Sequence, residues 1–362
     1  MTHRDLELQP LEGLYRWLGP TLARFALRLL SMEELPQEQM SGLLTTQDGF
    51  FRRDRHVHPA IPSEGWQLQL GGVAQPRAFG YAELEALPQQ RAACVAECAG
   101  NGNHLMGSAG LMGQACWQGP TVQSVVEACG GPGEATHFVF HGADSIGPRG
   151  AYHYGLSWQE IIDSGAILAL RHGDEPLTRA RGYPLRLVVP GIYAMAYVKW
   201  IVRIDGLTER WRGFYNDVLY NNKRLVDGRW VKEQARWISL KSVLTRCSAS
   251  ASDGGWELSG WAWGGGQPIQ RVEVTTDGGQ TWHEAELTTV HTVQDLSEPQ
   301  ARHAWTEFRW RWVAPAPGAH LLSSRATNAA GQVQPETEPM DVRGHYDQVR
   351  WKWRKVVVPH GS

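Results

Sequence analysis

Near Trp237 the chain changes texture, and this break constrains the fold more than any other feature of its 362 residues. Downstream, short alternating stretches recur between glycine-rich turns. Glu257 to Trp263 runs into Gly264-Gly265-Gly266, and Arg271 to Thr275 leads to the turn Asp277-Gly278-Gly279. Trp305 to Val313 and Leu321 to Thr327 alternate again. Period-two alternation sets one strand face against a core, and turns at this spacing indicate a β-sandwich of about 100 residues. Upstream, apolar strands are interleaved with helical spacing, as in an α+β domain. Two domains are expected, because a chain this long exceeds one ordinary core. We divide it into an N-terminal helical extension (1–45), a central domain (46–236) and the sandwich (237–362).

Composition excludes several classes. A formal net charge of −2 leaves no broad basic field for nucleic acid, so any anion site must be local. The five cysteines are irregularly spaced without Cys-x-x-Cys, which excludes a disulfide framework, a zinc ribbon and a covalent haem site. No stretch reaches the ~18 apolar residues of a membrane span. Leu14 to Leu18 and Leu22 to Leu30 carry apolar residues at helical spacing broken by Arg16, Arg24 and Arg28. That pattern predicts an amphipathic helix rather than a secretory leader. A cytoplasmic location is therefore expected, or a periplasmic one if a leader is absent from this chain. Seventeen tryptophans, several of them in the last third, suggest sandwich packing.

One thiol stands out. In Arg91-Ala92-Ala93-Cys94-Val95-Ala96-Glu97-Cys98-Ala99-Gly100-Asn101 an apolar strand runs into a turn-prone loop at Cys98. A thiol at such a corner can attack a substrate, bind a metal, or serve as a small buried hydrophobe. A nucleophile would need a histidine base, and His104 is the close candidate. The loop Gly107 to Gly113 lacks the lysine and glycine pattern of a nucleotide cradle. His56 and His58 flank Val57 ahead of Pro59, an irregular setting that argues against a metal pair.

Further stretches follow in order: Phe50-Phe51-Arg52-Arg53-Asp54-Arg55, Trp117-Gln118-Gly119, Phe138 to Asp144, Gly182-Tyr183-Pro184-Leu185-Arg186-Leu187-Val188-Val189-Pro190-Gly191, and Val198-Lys199-Trp200. Together with Cys98-Ala99-Gly100-Asn101, these words resemble the sulfite oxidase family of molybdopterin-dependent oxidoreductases. Gly260-Trp261-Ala262-Trp263 and Val272 to Trp282 are similar to the immunoglobulin-like dimerisation domain of the same family. The resemblance implies an α+β molybdopterin-binding domain followed by that sandwich, and a homodimer.

It also implies roles. Cys98 would be the molybdenum ligand and Arg53 the substrate-pocket arginine, with Trp117 helping to wall the pocket. Asp54, Arg55 and Asp144 would border the pterin, and Arg186 with Lys199 would take its phosphate tail. Arg181 falls where the family has a pterin-contacting histidine. Tyr220 matches the active-site tyrosine, with Tyr215 as competitor if the register slips by a helical turn. Asp54 and Arg55 replace the family's Asn and His, and Gly102-Asn103 replaces an Arg-Arg pair. The implied activity is molybdenum-dependent oxidation of sulfite to sulfate, with no haem in this chain and electrons leaving to a separate acceptor such as a cytochrome. Nitrate or sulfoxide reduction, a catalytically silent dimeric binding protein, and a metal-free Cys98 nucleophile remain alternatives.

Overall fold

The computed structural model describes residues 32–33, 40, 42–54, 58–62, 64–102, 110–144, 151–249, 255–289, 296–313, 315–337 and 346–359. The expected N-terminal helix, Arg55, His56 and His104 lie outside the described residues. The rest is mostly sheet with few helices, in two parts.

The first part is built on two sheets. One orders Arg77–Gly80, Gln67–Gly71, Ile201–Leu207, His137–Gly142 and His153–Ser157 side by side. Its neighbours are antiparallel except Ile201–Leu207 beside Gln67–Gly71. Gln67–Gly71 alternates as its sequence predicts, with Leu68 and Leu70 buried and Gln67 and Gln69 exposed. The other sheet pairs Gln89–Glu97 with Met112–Pro120 along their whole length. There, Ala92 to Glu97 and Met112 to Trp117 are buried on both faces, which explains why these strands read as continuous apolar runs. Helices are short and conventionally capped: Thr121 accepts from Ser124 N at the start of Val122–Glu127, and Ser157 with Glu160 forms a capping box for Trp158–Ser164.

The second part is a sandwich of two four-stranded sheets. One orders Lys241–Ala249, Trp256–Trp263, Thr306–Trp312 and Glu286–Thr289; the other His283–Glu284, Ile269–Thr275, Gly318–Asn328 and Arg354–Val358. Leu258, Ala262, Val272, Val274, Phe308 and Leu322 form its core. The tryptophans do not all belong there. Trp261, Trp263 and Trp305 pack into the core of the first part, because Trp261 and Trp263 lie on the strand face opposite Leu258 and Ala262. One strand thus serves two cores. Trp261 and Trp305 stack with centroids 4.5 Å apart, and Trp305 Nε1 donates to Leu43 O at 3.0 Å.

Candidate active site

Cys98 follows directly on the strand Gln89–Glu97. Its N–H donates to Leu111 O at 2.9 Å and its carbonyl accepts from Asn101 N at 2.8 Å, so the corner is a hydrogen-bonded turn. The other four cysteines are buried, whereas Cys98 is half-buried. Burial pushes the Cys94 thiol up to about 12 and that of Cys247 to about 11, which keeps both protonated and unreactive at neutral pH.

Cys98 opens onto a pocket with about 760 Å³ of empty space, its open mouth included. Arg52, Arg53, Arg181, Arg186 and Lys199 line it, together with Asp54 and Asp144. Among these lining residues, five cations thus face two carboxylates. Such a local excess in a chain of net charge −2 is the chemistry of a polyanion site.

Each charged group is held differently. Asp54 is buried and accepts from His58 Nε2 at 2.6 Å and from Lys199 Nζ, with Arg52 Nε 3.5 Å away. Burial alone would raise its carboxyl, but the His58 hydrogen bond and the Lys199 charge outweigh it and hold the group below its ordinary value. Burial pulls the Lys199 ammonium down to about 8, against the opposing pull of Asp54. Lys199 Nζ also lies 4.5 Å over the Trp200 ring.

The backbone is shaped to allow this. Trp200 has φ 55°, a left-handed conformation costly for a bulky residue. Its indole N–H anchors it by donating to Arg179 O at 2.7 Å. Gly182, at φ 106°, lies so close that an added Cβ would meet Lys199 and Arg186 side-chain carbons at 3.0 and 3.1 Å.

Arg186 is buried between aromatic rings, its guanidinium carbon 4.6 Å over Trp117 and 5.9 Å over Tyr197. It donates to Arg181 O at 3.0 Å, but its Nε has no hydrogen-bond partner. Among the described residues no carboxylate sits at salt-bridge distance from it. Burial lowers it to about 10, so it stays a cation at neutral pH. Arg181 directs two N–H groups to Phe51 O and Asp48 O, at 3.0 and 3.1 Å, and so braces the segment that carries Arg53. Asp144 Oδ1 accepts from Tyr152 N at 3.2 Å.

Tyr220 lines the pocket from the end of the π-helix Phe214–Leu219. Tyr215 does not line it; its ring packs 4.2 Å from that of Tyr152. Trp117 is also absent from the wall. It is fully buried behind Arg186, so the expectation of a pocket-wall tryptophan is corrected to one of a support for the cation. Sequence reasoning missed Arg52, Tyr197 and Trp200, all on the pocket lining. Their signal was adjacency: Arg52 precedes Arg53, and the two aromatics bracket Val198-Lys199.

The donor set suits a molybdopterin. Among the described residues no group of three or more His, Cys, Asp or Glu could enclose a metal ion. A single soft thiolate beside an anion-binding wall fits a metal that brings most of its own ligands. The unpartnered Arg186 Nε fits the tail phosphate.

Comparison with known proteins agrees. The oxidoreductase molybdopterin binding domain matches residues 56–215, and the Mo-co oxidoreductase dimerisation domain matches residues 241–360. The mitochondrial sulfite oxidase of Drosophila melanogaster is 27% identical over 329 residues, covering 81% of this chain and 55% of that protein. Inducible nitrate reductase [NADH] 2 of Glycine max is 26% identical, over 90% of this chain and 41% of its own length. The structure of the sulfane dehydrogenase SoxCD from Paracoccus pantotrophus superposes with a TM-score of 0.79 at 25% identity, covering 91% of this chain and 85% of that one. The chain spans 55–65% of the length of the animal sulfite oxidases it matches.

A molybdopterin-binding domain followed by a molybdenum-cofactor dimerisation domain defines a molybdopterin oxidoreductase. Within that class, this chain belongs to the sulfite oxidase family.

Proposed function

We propose that the chain oxidises sulfite to sulfate by oxygen-atom transfer and passes the electrons to a separate acceptor such as a cytochrome. The observation that carries this reading is the Cys98 thiol opening onto a pocket lined by five cationic side chains. When bound, the molybdenum cofactor supplies the two-electron oxygen-transfer chemistry. Cys98 would hold its metal, Arg186 and Lys199 its phosphate tail, and Asp54 and Asp144 would border the pterin. Arg181 keeps the Arg52-Arg53 segment in place through two backbone carbonyls. Arg53 then binds and orients the substrate dianion by a guanidinium fork. Tyr220 offers its phenolic proton to an oxygen of that anion.

Elemental analysis of the purified protein, combined with sulfite-dependent reduction of ferricyanide, tests the reading. Molybdenum near one atom per chain and sulfite turnover are expected, and a metal-free protein overturns it. A second reading, oxidation of sulfane sulfur, is suggested by the structural likeness to the sulfane dehydrogenase SoxCD. Assays with sulfite, thiosulfate and nitrate side by side separate the substrates.

The sandwich would pair two chains. The match of residues 241–360 to a dimerisation domain supports this, as do the exposed Val313, Leu321, Trp353 and Val357 on that part. Light scattering at micromolar concentration should give twice the chain mass.

A further inference from the structure

Cys98 and its neighbour Glu97 leave the strand in opposite directions. Cys98 faces the pocket, while Glu97, 1% exposed, points into the junction with the sandwich. Its carboxylate accepts three hydrogen bonds there: Lys241 Nζ at 3.0 Å, Trp263 Nε1 at 2.8 Å and Asn101 Nδ2 at 3.1 Å. Two of these donors come from the sandwich. Lys241 opens one strand, Trp263 closes the next, and the two are directly paired in register. Asn101 comes from the Cys98 turn itself, and its Oδ1 accepts from Leu111 N at 3.1 Å.

A second tie runs parallel. Asp347 N donates to Ala99 O at 2.9 Å, and its carboxylate accepts from Ser239 Oγ at 2.7 Å and from Tyr193, with Lys241 Nζ 3.6 Å away. Lys241 also donates to Tyr193 Oη at 2.6 Å. Glu97, Ala99 and Asn101, which flank the thiol, are thus each gripped by a buried polar network centred on Lys241. Such a network specifies one arrangement, because every alternative leaves a buried charge unpaired.

We propose that Lys241, acting through Glu97, is a positioning residue for Cys98, so that the sandwich forms part of the mounting of the metal-ligating thiol. The inference rests on Cys98 being the metal ligand. It assigns the second domain a function within its own chain, distinct from pairing two chains.

The test compares full-length wild type with Glu97→Gln, Lys241→Met and Trp263→Phe. Arg325→Met, which breaks an ion pair in the opposite sheet of the sandwich, is the control for lost stability. Three readouts are taken: the thiolate-to-metal charge-transfer absorption of the holoenzyme, the alkylation rate of Cys98 in metal-free chains, and kcat against KM. In Glu97→Gln and Lys241→Met the absorption should shift and Cys98 should alkylate several-fold faster. Their kcat should fall about tenfold or more, with KM changed far less. Lys241→Arg should restore most of the signal. Arg325→Met should lower Tm without moving any of the three. If Lys241→Met fails to fold, Trp263→Phe, which removes the indole N–H and leaves a smaller phenyl ring in its place, carries the same expectation at smaller amplitude. Equal Tm losses with unmoved absorption and alkylation would overturn the positioning role. A wild type with no charge-transfer band would instead overturn the functional reading, and the inference with it.

Discussion

Among the described residues, Arg186 and Arg325 each lie against two aromatic rings, and of these two only Arg325 has a carboxylate counter-ion. Arg325 of the sandwich lies 4.2 Å over Trp282 and 5.9 Å from Trp351. Its fork meets Glu273 on the facing strand at 2.9 and 3.1 Å. Arg186 of the pocket lies 4.6 Å over Trp117 and 5.9 Å from Tyr197. No carboxylate among the described residues reaches it. Aromatic contact stabilises both guanidiniums alike; the carboxylate separates a cation that holds a fold together from one suited to an outside anion. Buried charge without an internal partner lowers stability, and here the cost falls at the pocket.

The largest expected effect tests whether the pocket is a metal site at all. Cys98→Ser replaces a soft thiolate by a poorly ionised hydroxyl and should cut sulfite turnover by a factor on the order of 10³, with Tm nearly unchanged. Cys94→Ser, at a thiol that burial keeps protonated, should retain most activity. Loss in Cys94→Ser alone would move the site. Next, Arg53→Gln should cost about 2–4 kcal/mol in kcat/KM, mostly through KM, if the excess cations serve substrate binding. Steady-state kinetics over a wide sulfite range checks this.

The pocket should also declare itself by pH. Burial holds Lys199 near 8 in the folded chain, whereas the unfolded chain keeps that proton up to its ordinary value of 10.5. The unfolded state binds more protons between these values, so metal-free stability should rise with pH across that window. The penalty is fully present below about 8, and its size is about 3 kcal/mol. Urea unfolding at pH 7, 9 and 10 should show the rise, and Lys199→Met should lose it. Smallest, and closest to the comparison itself, is the paired swap. Arg325→Met leaves Glu273 only Arg271, 3.6 Å away, and should destabilise by about 2 kcal/mol through two lost charged hydrogen bonds. Arg186→Met in the metal-free chain should cost less than about 1 kcal/mol or even stabilise, while reducing molybdenum retention. Equal losses would erase the distinction between the two seats.

Much of this was legible because it is written in contiguous words. The strand that ends before Cys98, the alternating sandwich and the order of the pocket stretches all depend on neighbours in sequence. Arg53, Asp54, Cys98, Asp144, Arg181, Arg186, Lys199 and Tyr220 do meet at one pocket. What stayed hidden depends on packing between distant segments. Trp117 could be placed at the pocket by its motif, yet whether it faces the cavity or lies beneath Arg186 is decided by how two sheets stack. Arg181 looked like a ligand contact, and two of its N–H groups go to carbonyls about 130 positions away. The Glu97–Lys241 contact spans 144 positions with no pattern at either end to announce it.

Tyr220 reaches the pocket from a π-helix, Phe214–Leu219, and that wide turn makes the segment sensitive to length rather than to lettering. A π turn holds one residue more than an α turn, and each residue advances a helix by about 100°. Deleting Val218, whose side chain is more than half exposed, would let the turn close as an α turn with the phenol still directed at the pocket, whereas inserting a residue there would swing it by about 100°. Replacing Val218 by almost any side chain should be silent. A one-codon insertion at the same place should behave like loss of the tyrosine.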